Sequence, residues 1–286
     1  MLNSISVKLS LKLFKLRKPL ELVLFDKLFY KFVANLKNAS NTVLGFHKNG
    51  FVKINPNISE EIDIINNNLE MDKDQKGPLY KFKINEKADN AIKKIINVKI
   101  KKEIQELETY FNSKIVPAMI HLRRNTYYKK IDASHESYSD NFHNDAYVLT
   151  HFKIFFNIMN VKESNGPMHI VSKKNTKKFF KKINYKDRSN YKQNVFDTEL
   201  LYSNTGQKCE TLIFDPTQCL HRATVPSEGN YRDYLAITFV CLPKDKPITD
   251  KLINNTNVHK YENNSLLRFA KPHGFRSTLK LFSLYL

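Results

Sequence analysis

A chain of 286 residues that is 41% hydrophobic and 26% charged is long enough to bury a sizeable core, which suits a globular protein of one or two domains. Ten prolines, seven glycines and 12% aromatic residues exclude low complexity and collagen. The three cysteines (Cys209, Cys219, Cys241) are odd in number and lack Cys-x-x-Cys spacing, which excludes a disulfide scaffold and points to a reducing, cytoplasmic setting. The formal charge of +19 admits nucleic acid, anionic lipid or an acidic substrate as partners. Only eight of the 47 basic residues are arginines, however, and lysine alongside so much asparagine, isoleucine and phenylalanine resembles the bias of an AT-rich genome. The arginines are therefore the more informative cations, because a planar guanidinium fork suits carboxylates.

No stretch reaches the roughly 18 uninterrupted apolar residues of a membrane span. In Val7 to Leu13 a lysine or serine breaks every apolar step, so a signal-peptide core is missing there as well. From Pro19 onward Leu20, Leu24, Leu28, Phe32 and Leu36 recur at helical spacing. The basic amphipathic segment 1–45 thus carries a helix that either docks on its own domain or makes peripheral contact with a membrane surface. Phe46 to Ile54 reads as a short turn into a strand, and Ser59-Glu60-Glu61 opens a helix carrying Ile62, Ile64, Ile65 and Leu69. Residues 71–80 read as a polar loop. A second helix is expected from about Asp89 to Phe111, with Ile92, Ile95, Ile96, Val98, Ile104, Leu107 and Tyr110 as its apolar stripe.

After Pro117 the apolar period changes from 3.6 to 2, with strands expected over 118–128, 146–159, 167–172, 209–214 and 232–242. Helices first and short strands afterwards predict an α+β chain whose second part is an antiparallel sandwich or barrel. Residues 173–208 hold a lysine-rich run and few strand signals, so they read as a long insertion of the kind that often forms a lid. No internal repeat and no Pro/Gly/Ser linker cuts the chain. The expected organisation is the N-terminal segment 1–45, one domain over 46–245 and a C-terminal extension over 246–286.

Of nine histidines, His143 opens His143-Asn144-Asp145, which on a strand puts imidazole and carboxylate on one face. A third ligand from a neighbouring strand would complete a two-histidine, one-carboxylate triad, the arrangement that leaves positions open on iron. His221 lies just beyond the strand and turn formed by Cys209 to Pro216, and Arg232 begins the apolar strand Leu235 to Val240. His151 and His169 lie on candidate strands nearby but have no carboxylate two residues away. His47, His121, His135, His259 and His273 read as loop, packing or surface residues, and the cysteines as structural.

His143-Asn144-Asp145, Asn165-Gly166-Pro167-Met168, Leu212-Ile213-Phe214-Asp215 with His221, and Arg232 together resemble the motifs of the phytanoyl-CoA dioxygenase family. Upstream, Asn49-Gly50-Phe51-Val52 and Ser59-Glu60-Glu61 are similar to its N-terminal strand and helix, so the resemblance spans about residues 40 to 242. It implies a double-stranded β-helix (jelly roll, cupin-like) with flanking N-terminal helices, and an iron(II)- and 2-oxoglutarate-dependent dioxygenase that hydroxylates a small molecule. By the same resemblance His143, Asp145 and His221 match the iron ligands, and Arg232 matches the cation for the distal carboxylate of 2-oxoglutarate. Asp145 favours hydroxylation over halogenation, because a halogenase frees that coordination position for halide. Two departures stand out. Ser172-Lys173-Lys174-Asn175 replaces the family's Pro-Gly-Ser-His, and Ala223 stands where relatives often place a serine that helps hold 2-oxoglutarate. Arg123 or Arg124 on the preceding strand could supply that contact.

On the strand after Asp145, Phe152, Ile154, Phe156 and Ile158 take one face, and Lys153, Phe155 and Asn157 the other. With Arg222 and the run Lys173 to Lys182, several cations would ring the mouth of the site, so the expected substrate is an acidic small molecule rather than a neutral lipid. Two other classes stay open: a β-helix that binds a metal or ligand without catalysis, and a basic nucleic-acid-binding module suggested by Lys177-Lys178-Phe179-Phe180-Lys181-Lys182. No DNA- or RNA-binding signature accompanies that run, so nucleic acid is not the expected partner. Conversion of 2-oxoglutarate to succinate, or its absence, separates the classes.

Overall fold

The computed structural model describes residues 32–71, 77–131, 135–145, 151–183, 198–254, 266 and 283–285. Ser40 caps α1 (Asn41–Asn49), its Oγ accepting from the Val43 N–H at 3.3 Å. Gly50 ends α1 in left-handed backbone (φ 81°), and a Cβ there would lie 2.4 Å from the Cys219 sulfur. β1 (Phe51–Ile54) follows at once, so Phe46 to Asn49 finish a helix instead of forming the expected turn. Most of the helical repeat starting at Pro19 lies outside the described residues. Its described end, Val33 to Leu36, is not helical, and the Asn35 N–H donates to the Tyr110 carbonyl at 2.9 Å.

α2 (Ser59–Asn66) leads to β2 (Glu70–Met71) and β3 (Leu79–Lys83), so Leu79 and Tyr80, expected in a loop, already belong to a strand. α3 (Glu86–Lys94) is capped by Asn85 and is joined to α4 (Lys101–Phe111) by a π turn over Ile95–Lys99. The single helix expected over 89–111 is therefore two. The wide turn keeps both Ile95 and Ile100 buried while Val98 points to solvent.

β4 (Ser113–Thr126) starts before Pro117 rather than after it. The register against β10 (Tyr231–Pro243) slips by one residue between Thr238 and Phe239, opposite Pro117, and β3 pairs only with Arg123 to Asn125. A proline lacking an N–H is tolerated at such a bulged, uncovered edge. The remaining elements are β5 (His151–Asn157), β6 (Met168–Val171), α5 (Lys173–Ile183), β7 (Leu201–Ser203), β8 (Thr211–Phe214), β9 (His221–Ala223) and α6 (Pro247–Asn254). None of the helices among the described residues is long and apolar enough to cross a membrane.

The strands form a seven-stranded sheet, β1-β8-β5-β10-β4-β3-β2, and a three-stranded sheet, β7-β6-β9, antiparallel throughout. One face of the large sheet carries Phe152, Ile154 and Phe156 from β5 and Leu235, Ile237 and Phe239 from β10 into a core with Phe46, Ile62, Leu107 and Phe111 from the helices. Phe152 stacks between Phe239 (5.3 Å) and Phe111 (6.1 Å). Each such ring contributes about 2 to 3 kcal/mol by leaving water, which fixes the register of both strands. On the opposite face Phe155, Leu212 and Phe214 pack against Met168 and Ile170 of the small sheet. A cavity lies between the two sheets.

The lysine run, which opens the insertion expected over 173–208, folds as the amphipathic helix α5, and residues 184–197 lie outside the described residues. Thr176 and Phe179 are buried, Phe179 among Phe142, Val171 and Leu220. The Thr176 hydroxyl donates to the Val171 carbonyl at 3.1 Å and accepts from the Leu220 N–H at 3.0 Å. The helix thus braces the residue next to His221, and among the described side chains none of its lysines lines the cavity.

Candidate metal centre

His143 and His221 are brought together by backbone pairing. Each donates its N–H to the other's carbonyl, at 3.0 and 2.9 Å, in an isolated antiparallel bridge that sets the rings 4.3 Å apart. The turn that delivers His221 is folded around buried Asp215. Its Oδ1 accepts from the Thr217 N–H, the Thr217 hydroxyl and the Gln218 N–H, and its Oδ2 accepts from the Gln218 amide. The Asp145 N–H donates to the Pro216 carbonyl at 2.8 Å, tying the third residue to the same turn. The Asn165-Gly166-Pro167 turn leads into β6, whose first residue, Met168, lines the cavity. A Cβ on Gly166 (φ 69°) would lie 2.5 Å from the Thr224 carbonyl oxygen.

The tautomers follow from the hydrogen bonds. Nδ1 of His143 donates to the Asn141 carbonyl (2.8 Å) and Nδ1 of His221 to the Cys219 carbonyl (3.0 Å), so Nε2 carries the lone pair in both rings. Those Nε2 atoms lie 3.8 and 3.9 Å from the same atom, Oδ1 of Asp145, and the three donors all fall within 4.8 Å of one another. Oδ2 of Asp145 is paired with Lys153 Nζ at 2.6 Å. Burial alone would raise the Asp145 carboxyl, but Lys153, ahead of His221, His151 and His143, holds it well below the usual carboxylate range. Two imidazole nitrogens and one carboxylate oxygen on one side of an open space fit a divalent metal that keeps positions for exchangeable ligands.

The cavity of about 190 Å³ in front of these donors is walled by apolar Phe155, Met168 and Phe214 and by Arg232, Tyr138 and Tyr234. Arg232 is 5% exposed, forms no ion pair among the described residues, and has no hydrogen-bond partner at Nε. Burial pushes its pKa down, while Tyr234 and Tyr138 act the other way. A buried guanidinium without a carboxylate is costly by itself and fits an anionic ligand.

His143, Asp145, His221 and Arg232 thus line one cavity. Other sequence expectations need correction. Arg124 turns to the opposite face and forms a bidentate pair with Asp233 (2.6 and 2.7 Å), so of the two arginines only Arg123 reaches the cavity. Arg222 does not line the cavity; it lies 4.5 Å from the Phe142 ring, beside His169, because β9 alternates and His221 and Ala223 take the inner face. His121, expected in packing or at the surface, lines the cavity from β4. His259 and His273 lie outside the described residues. Tyr138, reaching in from a loop, carried no periodic signal. The Lys153 contact with Asp145 was signalled only as far as the alternation of β5.

No protein family matches the chain by sequence pattern, and no curated protein matches it. Solved structures with a similar backbone include the non-heme alpha ketoglutarate dependent epimerase SnoN from nogalamycin biosynthesis (12% identity, 73% of this chain and 87% of that chain, TM-score 0.47). HygX from Streptomyces hygroscopicus, with nickel and 2-oxoglutarate bound, has 10% identity over 71% of this chain and 87% of that one, with a TM-score of 0.49. An oxidoreductase of the 2OG-Fe(II) oxygenase family from Burkholderia pseudomallei has 10% identity over 73% and 93%, with a TM-score of 0.45. At such identities the roles of the side chains follow from this chain's own geometry.

Proposed function

We propose that the chain is an iron(II)- and 2-oxoglutarate-dependent dioxygenase on a double-stranded β-helix, akin to the phytanoyl-CoA dioxygenase family, and that it hydroxylates a small molecule in a reducing, cytoplasmic setting. The observation that carries this reading is the convergence of two Nε2 lone pairs and one carboxylate oxygen beside a buried arginine that lacks a carboxylate. His143, Asp145 and His221 would hold the iron, which supplies dioxygen activation when bound. Arg232 would hold the distal carboxylate of 2-oxoglutarate as a charge-assisted, forked pair. Phe155, Met168 and Phe214 give the cavity apolar walls, which would strengthen that pair. Lys153 neutralises the second oxygen of Asp145, so that one oxygen faces the metal.

The test is direct. Anaerobically loaded protein is titrated with 2-oxoglutarate, then exposed to oxygen, and succinate is measured. Wild type should convert 2-oxoglutarate, and His143→Ala, Asp145→Ala and His221→Ala should each abolish conversion with loss of metal affinity of at least about 100-fold. Metal binding without any oxidation of 2-oxoglutarate would mean a metal- or ligand-binding protein instead.

A further inference from the structure

The cavity carries more positive charge than the proposed reaction uses. Among the described residues that line it, three cations, Arg232, Arg123 and Lys153, face one carboxylate, Asp145. A divalent metal and dianionic 2-oxoglutarate cancel each other, so two positive charges remain uncompensated. Lys153 is already engaged with Asp145 and Arg232 is assigned to the cosubstrate, which leaves Arg123.

The position of Arg123 is set by strand register. It stands opposite Tyr234 of β10, whereas Arg232 stands opposite Asn125, so the two backbone positions are one pleat and one strand apart, roughly 8 Å. His121 precedes Arg123 on the same face of β4, opposite Ala236, and Lys153 comes in from the other side of β10, opposite Thr238. The neighbouring Arg124 is matched by Asp233, but Arg123 has no ion-pair partner among the described residues. Burial, then Arg123, Lys153 and Lys81, push the His121 imidazole down to about 3, so the ring is neutral near pH 7 and offers one donor and one acceptor. The groups acting on Arg232 are different ones, Tyr234 and Tyr138.

We propose that Arg123, with His121 two residues away on the same face of β4, forms a second anion subsite, and that the substrate is a small molecule docking a carboxylate or phosphoryl group there. The subsite stands on the cavity alone; its assignment to the substrate rests on the oxygenase reading. The test follows thermal unfolding of the protein, with and without manganese(II) and 2-oxoglutarate, as inorganic phosphate or acetate is added. Wild type should show saturable stabilisation by one of these anions on top of that by 2-oxoglutarate; phosphate alone assigns a phosphoryl group, acetate alone a carboxylate. Arg123→Gln should weaken anion binding about tenfold and 2-oxoglutarate binding less than about twofold, whereas Arg232→Gln should do the reverse. Arg123→Lys, which keeps the charge, should retain binding within about threefold. The proposal is overturned if neither anion binds, if Arg123→Gln binds them as well as wild type, or if it weakens 2-oxoglutarate as much as Arg232→Gln does. Arg123-dependent anion binding without any binding of 2-oxoglutarate would keep the subsite and remove the oxygenase reading alone.

Discussion

Replacing Arg232 with methionine should make the ligand-free protein more stable and remove its response to 2-oxoglutarate. The guanidinium is 5% exposed, has no ion pair among the described residues, and lies 5.3 Å from the centre of the Tyr234 ring. Exchanging a poorly compensated buried charge for an apolar side chain of similar length stabilises by about 1 to 4 kcal/mol. Loss of the cation–π contact takes back about 0.5 to 1 kcal/mol. The net gain of about 0 to 3.5 kcal/mol corresponds to a rise in melting temperature of up to roughly 6 °C for a chain of this size. Wild type instead gains about 2.7 kcal/mol from 2-oxoglutarate at a hundredfold excess over its dissociation constant, and the variant gains none. Urea unfolding in manganese(II), with and without 2-oxoglutarate, reads both effects. A ligand-free variant less stable than wild type by more than about 1 kcal/mol, or one still stabilised by 2-oxoglutarate, would refute the assignment of Arg232 to an external carboxylate.

Lys153→Met should cost about 2 kcal/mol at pH 7 in metal-free protein, since it strands the Asp145 carboxylate. The Asp145 carboxyl is depressed in the folded state, so the contribution of the pair is present above about pH 4 and fades as the pH falls below it; urea midpoints at pH 7 and pH 3 should show the difference shrinking. His121 is lowered to about 3 against about 6.5 when unfolded, so its neutral form favours folding above pH 6.5 and that contribution is lost as the pH falls. His121→Asn should therefore reduce the stability loss between pH 7 and pH 5 by about 2 kcal/mol in denaturant titrations. Arg124→Ala, which breaks the bidentate pair with Asp233, should destabilise by about 2 to 3 kcal/mol and leave 2-oxoglutarate affinity unchanged by calorimetry.

Much of the strand layout was legible because burial on one face imposes period two. Phe152, Ile154 and Phe156 do enter the core, and Lys153 and Phe155 do face the cavity. The donor spacing was legible for a different reason: His143 and Asp145 are only two residues apart, so local geometry nearly suffices, and His221 had to be supplied by the resemblance. What stayed hidden depends on contacts distant in sequence. β7 and β9 are three residues long, too short for any period to register. The lysine run concealed a helix because its two anchoring residues, Thr176 and Phe179, are outnumbered by lysines that face solvent. The non-helical backbone of Val33 to Leu36 goes with the Asn35 N–H reaching the Tyr110 carbonyl, which no local pattern encodes.

The two adjacent arginines show how the core determines the chemistry of the cavity. Side chains alternate along β4, so one of Arg123 and Arg124 must face inward, and along β10 the same holds for Arg232 and Asp233. Composition cannot say which. Leu235, Ile237 and Phe239 share a face with Asp233 and are all buried on the helix side. Sliding β10 by one residue would turn those three outward at roughly 5 to 9 kcal/mol and bring Asp233 into the cavity, where it would neutralise an arginine. In the observed register Asp233 pairs with Arg124 outside, and Arg123 and Arg232 are left inside without carboxylates. The apolar pattern of one strand thus holds two guanidiniums where only ligands can balance them.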